Sequence, residues 1–321
     1  MKDQFGRTID YMRISITDRC NLRCKYCMPD GCAKVSMSQI LTYEEIERIC
    51  RVAARLGISK IKITGGEPLV RLGCTDLIRS LKATDGIDEV TITTNGQNLC
   101  QYIDELKSAG ADGINISLDT LDAERYEYIT GGGRLENVLQ AIDAAAASGV
   151  RTKLNCVLQA GFNDDEVLRL AELGFQKEID VRFIELMPIG IADPSQGVSN
   201  EEVLRILMER WPDLQRDETV HGNGPAIYYK RPGTDGAVGL ISAIHGVFCA
   251  GCNRVRLTSQ GQIKPCLCFE EGTDIKPYLQ QSDEALEAAL RDAIYRKPAA
   301  HCFTEEQFGS GDQRLMSQIG G

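Results

Sequence analysis

Short strand-like segments alternate with helical ones from the N-terminus to about Glu185, and this alternation constrains the fold more than any other feature of the chain. Residues 12–17, 60–64, 89–93, 113–118, 152–158 and 181–185 read as strands. Helical patterns fill the intervals at 42–56, 76–82, 99–109, 135–147 and 164–173, and Thr42 and Glu45 have the spacing of a capping box. Six strands joined by helix-length connections predict a parallel sheet. Right-handed crossovers curl such a sheet into a partial (βα)6 TIM-like barrel, an α/β fold.

The strands are two-faced. Ile14 and Ile16, Ile61 and Ile63, Val90 and Ile92, and Ile114 and Ile116 form an apolar face. The alternate positions are polar or basic: Arg13 and Ser15, Lys60, Lys62 and Thr64, Thr91 and Thr93, Asn115 and Ser117, Lys153 and Asn155, and Arg182. Under a coat of helices the apolar face is the covered one, so the polar face lines the lumen and suits a large, polar, anionic molecule. This differs from the aliphatic interior of a complete eight-stranded barrel. The alternative is an open sheet with its polar face in solvent.

After Glu185 the pattern changes. A helix is expected at 200–211, then a polar stretch rich in Gly and Pro, strands at 226–230, 238–242, 255–258 and 262–265, and a helix at 282–295. The expected division is a barrel domain over 1–186 and a C-terminal α+β extension over 187–321 that packs on the barrel and closes its mouth.

Cys20, Cys24 and Cys27 follow the first strand in a C-x3-C-x2-C loop. Three thiolates at this spacing can hold a [4Fe-4S] cube with one iron left open for chemistry. A closed structural zinc site is the alternative, with Cys32 as the nearest further ligand to try. A second group, Cys249, Cys252 and Cys266, reads C-x2-C-x13-C; again a cube with an open iron competes with a zinc ribbon, and Cys268 is an alternative or fourth ligand. Thirteen cysteines in a chain placed in the cytoplasm fit metal or redox chemistry better than a disulfide framework. Cys50, Cys74, Cys100 and Cys156 read as small apolar fillers, while Cys302 stays ambiguous.

The N-terminus has no apolar leader segment and the chain no apolar run of spanning length, so a cytoplasmic protein without a membrane partner is expected. A net charge of −10 argues against nonspecific nucleic-acid binding, although a few cations focused in one cavity can still hold a small anion. Gly65-Gly66-Glu67-Pro68 follows the second strand, where two glycines permit close backbone approach to a ligand and Glu67 can bind an ammonium group.

The cysteine loop together with Gly65-Gly66-Glu67-Pro68 resembles the radical S-adenosylmethionine superfamily. Longer strings narrow the likeness: RISITDRCN at 13–21, YCMP at 26–29, KITGGEPL at 62–69, RFIE at 182–185 and FCAGCNRVRLT at 248–258. They resemble the GTP 3',8-cyclase family of molybdenum cofactor biosynthesis, nearly end to end. The resemblance implies two [4Fe-4S] clusters, S-adenosylmethionine and GTP. One electron from an external donor would release a 5'-deoxyadenosyl radical, which removes the 3' hydrogen of GTP so that the ribose attacks C8 and 3',8-cyclo-7,8-dihydro-GTP forms. A downstream cyclic pyranopterin monophosphate synthase would follow.

By the same resemblance Cys20, Cys24, Cys27, Cys249, Cys252 and Cys266 hold the clusters. Tyr26, Gly66, Glu67, Thr93, Asn95, Ser117 and Met187 contact the cofactor. Arg13, Lys62, Lys153, Arg182, Arg254 and Arg256 hold the triphosphate, with Arg254 and Arg256 also expected to be catalytic. The terminal Gly320-Gly321 would enter the active site, and residues 70–74, VRLGC, depart from the family's more charged sequence. A homodimer is one assembly left open. The alternatives carried forward are a peptide-modifying radical enzyme with an auxiliary cluster and a non-enzymatic iron-sulfur or zinc module.

Overall fold

The computed structural model describes residues 1–31, 35–245, 248–303, 312 and 314–319. Cys32 and the terminal Gly320-Gly321 lie outside the described residues. The βα alternation is present: β1 (Tyr11–Ser15), α1 (Tyr43–Arg55), β2 (Lys60–Thr64), α2 (Cys74–Lys82), β3 (Glu89–Thr94), α3 (Ile103–Ser108), β4 (Gly113–Ser117), α4 (Ala123–Thr130), α5 (Leu135–Ser148), β5 (Arg151–Leu158), α6 (Val167–Lys177) and β6 (Asp180–Glu185). There follow α7 (Asn200–Arg210), β7 (Gln215–Asp217), β8 (Ile227–Lys230), β9 (Ala237–Ile241), β10 (Arg254–Leu257), β11 (Gln262–Lys264), β12 (Thr273–Asp274), α8 (Asp283–Tyr295) and α9 (Met316–Ile319).

β1 to β6 pair in parallel and in sequence order. The C-terminal strands join this sheet at both edges. β10 runs parallel to β1, and β9 runs parallel to β6. Antiparallel β11 and β12 continue one edge, β8 and β7 the other, and the sheet stays open between its two outermost strands. The extension therefore widens the partial barrel as well as covering it.

Burial of one strand face drives this arrangement. Ile14, Ile16, Ile61, Ile63, Val90, Ile92, Ile114 and Ile116 are all at most 1 % exposed, each contributing about 1.5–3 kcal/mol of transfer free energy. They pack under helices whose apolar stripes include Ile46, Ile49 and Val52 of α1 and Leu77, Ile78 and Leu81 of α2. The α1 capping box is formed: the Thr42 hydroxyl accepts from the Glu45 N–H, and the Glu45 carboxylate accepts from the Thr42 N–H. The opposite strand face is enclosed too. Lys62, Thr91, Asn115, Lys153 and Arg182 are between 4 % and 9 % exposed, which excludes the sheet with its polar face in solvent.

Some elements differ from expectation. The segment 99–109 is a 3-10 turn at Leu99–Gln101 followed by the short α3. The segment 164–173 likewise begins as a 3-10 turn before α6. α4 has no counterpart in the sequence reading; Asp122 caps its start and Gly131, at φ +67°, ends it. Among the described residues no helix is long and apolar enough to cross a membrane.

A small second core joins the C-terminal end to the extension, built on Ile189, Cys268, Cys302, Phe303 and Ile319. Cys268 and Cys302 are disulfide-bonded, and both are buried. This corrects the reading of Cys268 as a candidate cluster ligand, because its sulfur is committed to Cys302. It also qualifies the expectation that the cysteines serve metal or redox chemistry alone. Nothing local in the sequence pairs two cysteines 34 positions apart.

Candidate active site

The loop carrying Cys20, Cys24 and Cys27 leaves the C-terminal end of β1 and is held from two sides. On one side Gly66 N–H donates to Thr17 O at 2.7 Å and Glu67 N–H to Arg19 O at 2.8 Å. A Cβ on Gly66 would lie 2.4 Å from Arg19 O, and one on Gly65 2.8 Å from Thr17 O. The two glycines are thus needed for the approach of one loop to the other, a use the sequence reading had given to a ligand. On the other side Arg23 N–H and Lys25 N–H donate to the carbonyls of Thr130 and Ile129, at 2.8 and 2.9 Å. The cysteine loop therefore satisfies the last carbonyls of α4, which would otherwise lack partners.

Within the loop, Cys27 N–H and Met28 N–H both donate to Cys24 O, which closes a turn between the second and third cysteines. Burial pushes the Cys24 thiol well up, and the nearby Cys27, Asp119 and Cys20 add to the effect. Asn95 Nδ2 lies 3.7 Å from Cys20 Sγ and donates to Asn21 Oδ1 at 2.8 Å. The Tyr26 hydroxyl donates to Asp119 Oδ2 at 2.7 Å, and Asp119 Oδ1 accepts from Val157 N–H. Burial raises the Asp119 carboxyl to about 6 against these two bonds.

Glu67 is 1 % exposed, and its carboxylate accepts from Leu69 N–H, the Thr94 hydroxyl and Asn95 N–H. Burial lifts it to about 7 despite these donors. In this arrangement Glu67 fixes the loop after β3, where the sequence reading had it meeting an ammonium group. Ser117 is half-buried at the end of β4, in register with Asn155.

Below the cysteine loop the polar strand face becomes cationic. Arg256, Arg13 and Lys62 lie in one row across β10, β1 and β2. Lys153 and Arg182 extend the face on β5 and β6. Burial depresses the Lys62 ammonium well below its ordinary value, helped by Arg182, Arg13 and Lys153. Arg256 is driven the same way by burial, then by Arg13 and Arg254. Lys153 is lowered to about 8 by burial, although its Nζ pairs with Asp180 Oδ2 at 2.5 Å and donates to the Tyr228 hydroxyl at 3.0 Å. Arg182 Nη2 donates to Asn115 Oδ1.

Arg13, Lys62, Lys153 and Arg182, with Thr93, Asn155 and Arg254, line a cavity of about 670 Å³, its opening to solvent included. Residues 222–225 line it too. Asn223 Nδ2 reaches Glu89 at 2.8 Å, and His221 stands between Asp180 and Asp217, stacked on Tyr228 at 4.0 Å. The sequence reading passed over this segment; the Gly222, Gly224 and Pro225 cluster was its available signal.

The second cysteine group precedes and follows the strand pair β10 and β11. A 3-10 turn at Cys249–Gly251 places Cys249 and Cys252 together, and Cys266 follows β11. Arg7 of the N-terminal segment donates to the carbonyls of Cys249 and Ala299, both at 2.9 Å, and so ties this turn to the chain after α8. Burial raises the Cys249 thiol. Cys252 goes the other way: burial opposes it, but Arg254 and Lys297 outweigh burial and draw the thiol down to about 7. The Arg254 guanidinium also covers the Phe248 ring at 4.9 Å.

A cavity of about 820 Å³ lies against the three thiols and is lined by Met187, Arg256, Lys297 and His301 as well. Met187, expected at the cofactor, faces this second space. Arg13, Ile184, Ile241 and Arg254 line both cavities, which therefore adjoin.

Each group offers three sulfur donors. The six thiols are outside the disulfide, and within each group they act on one another electrostatically. A [4Fe-4S] cube with three protein thiolates and one open iron fits both sets.

Two family models match the chain, the radical SAM superfamily over residues 14–174 and the molybdenum cofactor synthesis C-terminal domain over 179–303. Among similar proteins, the GTP 3',8-cyclase of Alkaliphilus oremlandii is 46% identical over 326 residues, all of both chains. Those of Heliobacterium modesticaldum and Clostridium perfringens are 45% and 42% identical, again over the whole of both chains. Among solved structures, Streptococcus suis SuiB bound to S-adenosylmethionine superposes with a TM-score of 0.63 at 16% identity, covering 94% of this chain and 67% of that one. The structure of anSMEcpe with bound AdoMet gives 0.61 at 15% identity, covering 93% and 83%. These two likenesses concern the fold.

Proposed function

The chain belongs to the GTP 3',8-cyclase family of radical S-adenosylmethionine enzymes, and from that premise we infer how its own residues carry the reaction. The enzyme converts GTP to 3',8-cyclo-7,8-dihydro-GTP in the first step of molybdenum cofactor biosynthesis, with two [4Fe-4S] clusters and S-adenosylmethionine as cofactors. When bound, the first cluster and S-adenosylmethionine together supply a carbon radical that removes the 3' hydrogen of GTP.

In our reading Cys20, Cys24 and Cys27 hold the first cluster and Cys249, Cys252 and Cys266 the second. Tyr26, Thr93, Asn95 and Ser117 surround S-adenosylmethionine at the C-terminal ends of β1 to β4. Gly66 and Glu67 serve it by fixing the two loops it lies between, and Met187 stands at the substrate's side. Arg13, Lys62, Lys153 and Arg182 hold the triphosphate, and Arg254 and Arg256 bridge from it to the base beside the second cluster. Guanidinium forks suit phosphate oxygens, and a dry cavity strengthens each such contact. These residues contribute orientation and exclusion of water, while the bound groups carry the bond cleavage.

One observation carries this reading. Arg256, Arg13 and Lys62 stand side by side on neighbouring strands, Lys62 buried and the two arginines half-buried, and a row of like charges in that place suits the receipt of an anion. An anaerobic assay tests it. Protein reconstituted with iron and sulfide is given dithionite and S-adenosylmethionine, and 5'-deoxyadenosine is measured with and without GTP. The expected result is turnover that rises with GTP; no rise with both clusters assembled contradicts the reading.

The remaining partners belong to the same proposal. An external one-electron donor supplies the first cluster, and a cyclic pyranopterin monophosphate synthase takes the product. The chain works in the cytoplasm, as a barrel domain over 1–186 and an extension over 187–321. A homodimer is the assembly to test by sedimentation.

A further inference from the structure

His301 is half-buried at the wall of the second cavity, one residue before the disulfide-bonded Cys302. Its Nδ1 accepts a hydrogen bond from the Phe303 backbone N–H at 3.1 Å, and its ring lies against that of Phe303, with centroids 5.2 Å apart. An accepting Nδ1 carries the lone pair, so the ring proton is on Nε2. That Nε2–H is buried and has no hydrogen-bond partner among the described residues. A buried donor without an acceptor is costly, and such groups in native structures usually meet a bound species.

The cavity's lining restricts what that species can be. Arg13, Arg254, Arg256 and Lys297 bring only donors, and the lining contains no carboxylate, amide or hydroxyl side chain. The side-chain acceptors there are sulfur atoms, chiefly those of the three thiols. The residue is also anchored at one of them, because the His301 backbone N–H bonds to the Cys249 thiol.

We propose that His301 is a positioning residue of the auxiliary cluster, its Nε2–H donating a hydrogen bond to a sulfur of the cube held by Cys249, Cys252 and Cys266. This rests on the cluster assignment made above. A hydrogen bond to cluster sulfur stabilises the more negative, reduced state and so raises the reduction potential. The substrate binds against the same cluster, so His301 sets the electron density of the iron that receives it. The disulfide holds the ring in place by fixing Cys302 to Cys268.

The test uses the full chain with Cys20, Cys24 and Cys27 replaced by alanine, so that only the auxiliary cluster reports. Its midpoint potential is measured by an EPR-monitored redox titration with His301 intact, with His301→Leu and with His301→Gln, whose amide can place a donor near the same point. The expected result is a lower potential in His301→Leu and recovery toward the parent value in His301→Gln. An unchanged potential in His301→Leu at full iron content overturns the proposal. If His301→Leu loses its iron, retention of iron and potential in His301→Gln supports the hydrogen bond, and loss of either in both overturns it. Failure of the underlying cluster assignment is separately visible, as one cube's worth of iron in the unmodified protein where two are expected.

Discussion

At the first cysteine loop Asp119 acts on the Cys24 thiol and Arg23 donates to the Cys20 carbonyl, so charges of both signs lie beside it; at the second the charges acting on Cys252 are the cations Arg254 and Lys297. Burial pushes up Cys24 in the first group and Cys249 in the second, whereas Arg254 and Lys297 draw Cys252 down to about 7 against burial. Two sites with the same donor set therefore differ at one thiol, the one that two cations flank. Under the proposed function, Asp119 at the first site suits a sulfonium cofactor and the guanidinium groups at the second suit a nucleoside triphosphate. Arg13, Lys62, Lys153 and Arg182 line the neighbouring cavity, and Arg13 lines the one beside the second group as well.

The largest expected effects separate the two sites. Cys27→Ser should abolish cleavage of S-adenosylmethionine, with iron content falling by one cube. Cys252→Ser should lose the same amount of iron and all cyclised product while 5'-deoxyadenosine still forms without coupling. Cys268→Ser, by contrast, should keep both clusters. Iron and sulfide counts with product analysis by chromatography check all three.

Next in size is Gly66→Ala. The added methyl meets a backbone carbonyl that cannot move without shifting the cysteine loop, so a loss of about 1–3 kcal/mol in stability is expected, read in a denaturant titration of the cluster-free protein. Gly224→Ala, at a glycine that likewise lacks a left-handed backbone but whose methyl would meet nothing within 4 Å, serves as the control.

The cavity's cations also predict a one-sided pH dependence. Lys153 loses its proton near pH 8, and Lys62 is depressed by burial among other cations. Both groups are fully charged only below their lowered values, so the cavity loses positive charge as pH rises. The KM for GTP should climb roughly tenfold per unit of pH above about 8, while that for S-adenosylmethionine stays level. The smallest effect belongs to Asp119→Asn, which weakens the hydrogen bond that orients Tyr26; about 1 kcal/mol, or roughly fivefold in the KM for S-adenosylmethionine, is expected with little change in that for GTP.

What the sequence revealed was what local periodicity encodes. The six central strands, their apolar faces, the Thr42 and Glu45 box and the cationic positions are all set by residues a few places apart. α4 escaped because it is only eight residues long with three buried side chains, too short for a helical period to stand out. Its importance lies in the carbonyls of Ile129 and Thr130, which hold the cysteine loop through backbone atoms that leave no mark on composition. The pairing of β10 with β1 is likewise invisible locally, since Arg256 reaches Arg13 through a contact that spans most of the chain. The sequence marks Gly66 and Glu67 as special, and the packing adds a use it does not show, the close approach of two loops. The sequence marks where the backbone is crowded, but only the fold tells whether a ligand or another loop does the crowding.

Titration calorimetry of GTP and of S-adenosylmethionine, on the reconstituted protein and on Lys62→Ala, tests most directly whether the two molecules use separate sites. Loss of a charged hydrogen bond of about 1.5–3 kcal/mol predicts GTP binding weaker by roughly 10- to 150-fold and S-adenosylmethionine binding unchanged. Equal weakening of both, or undiminished GTP binding, would contradict the account.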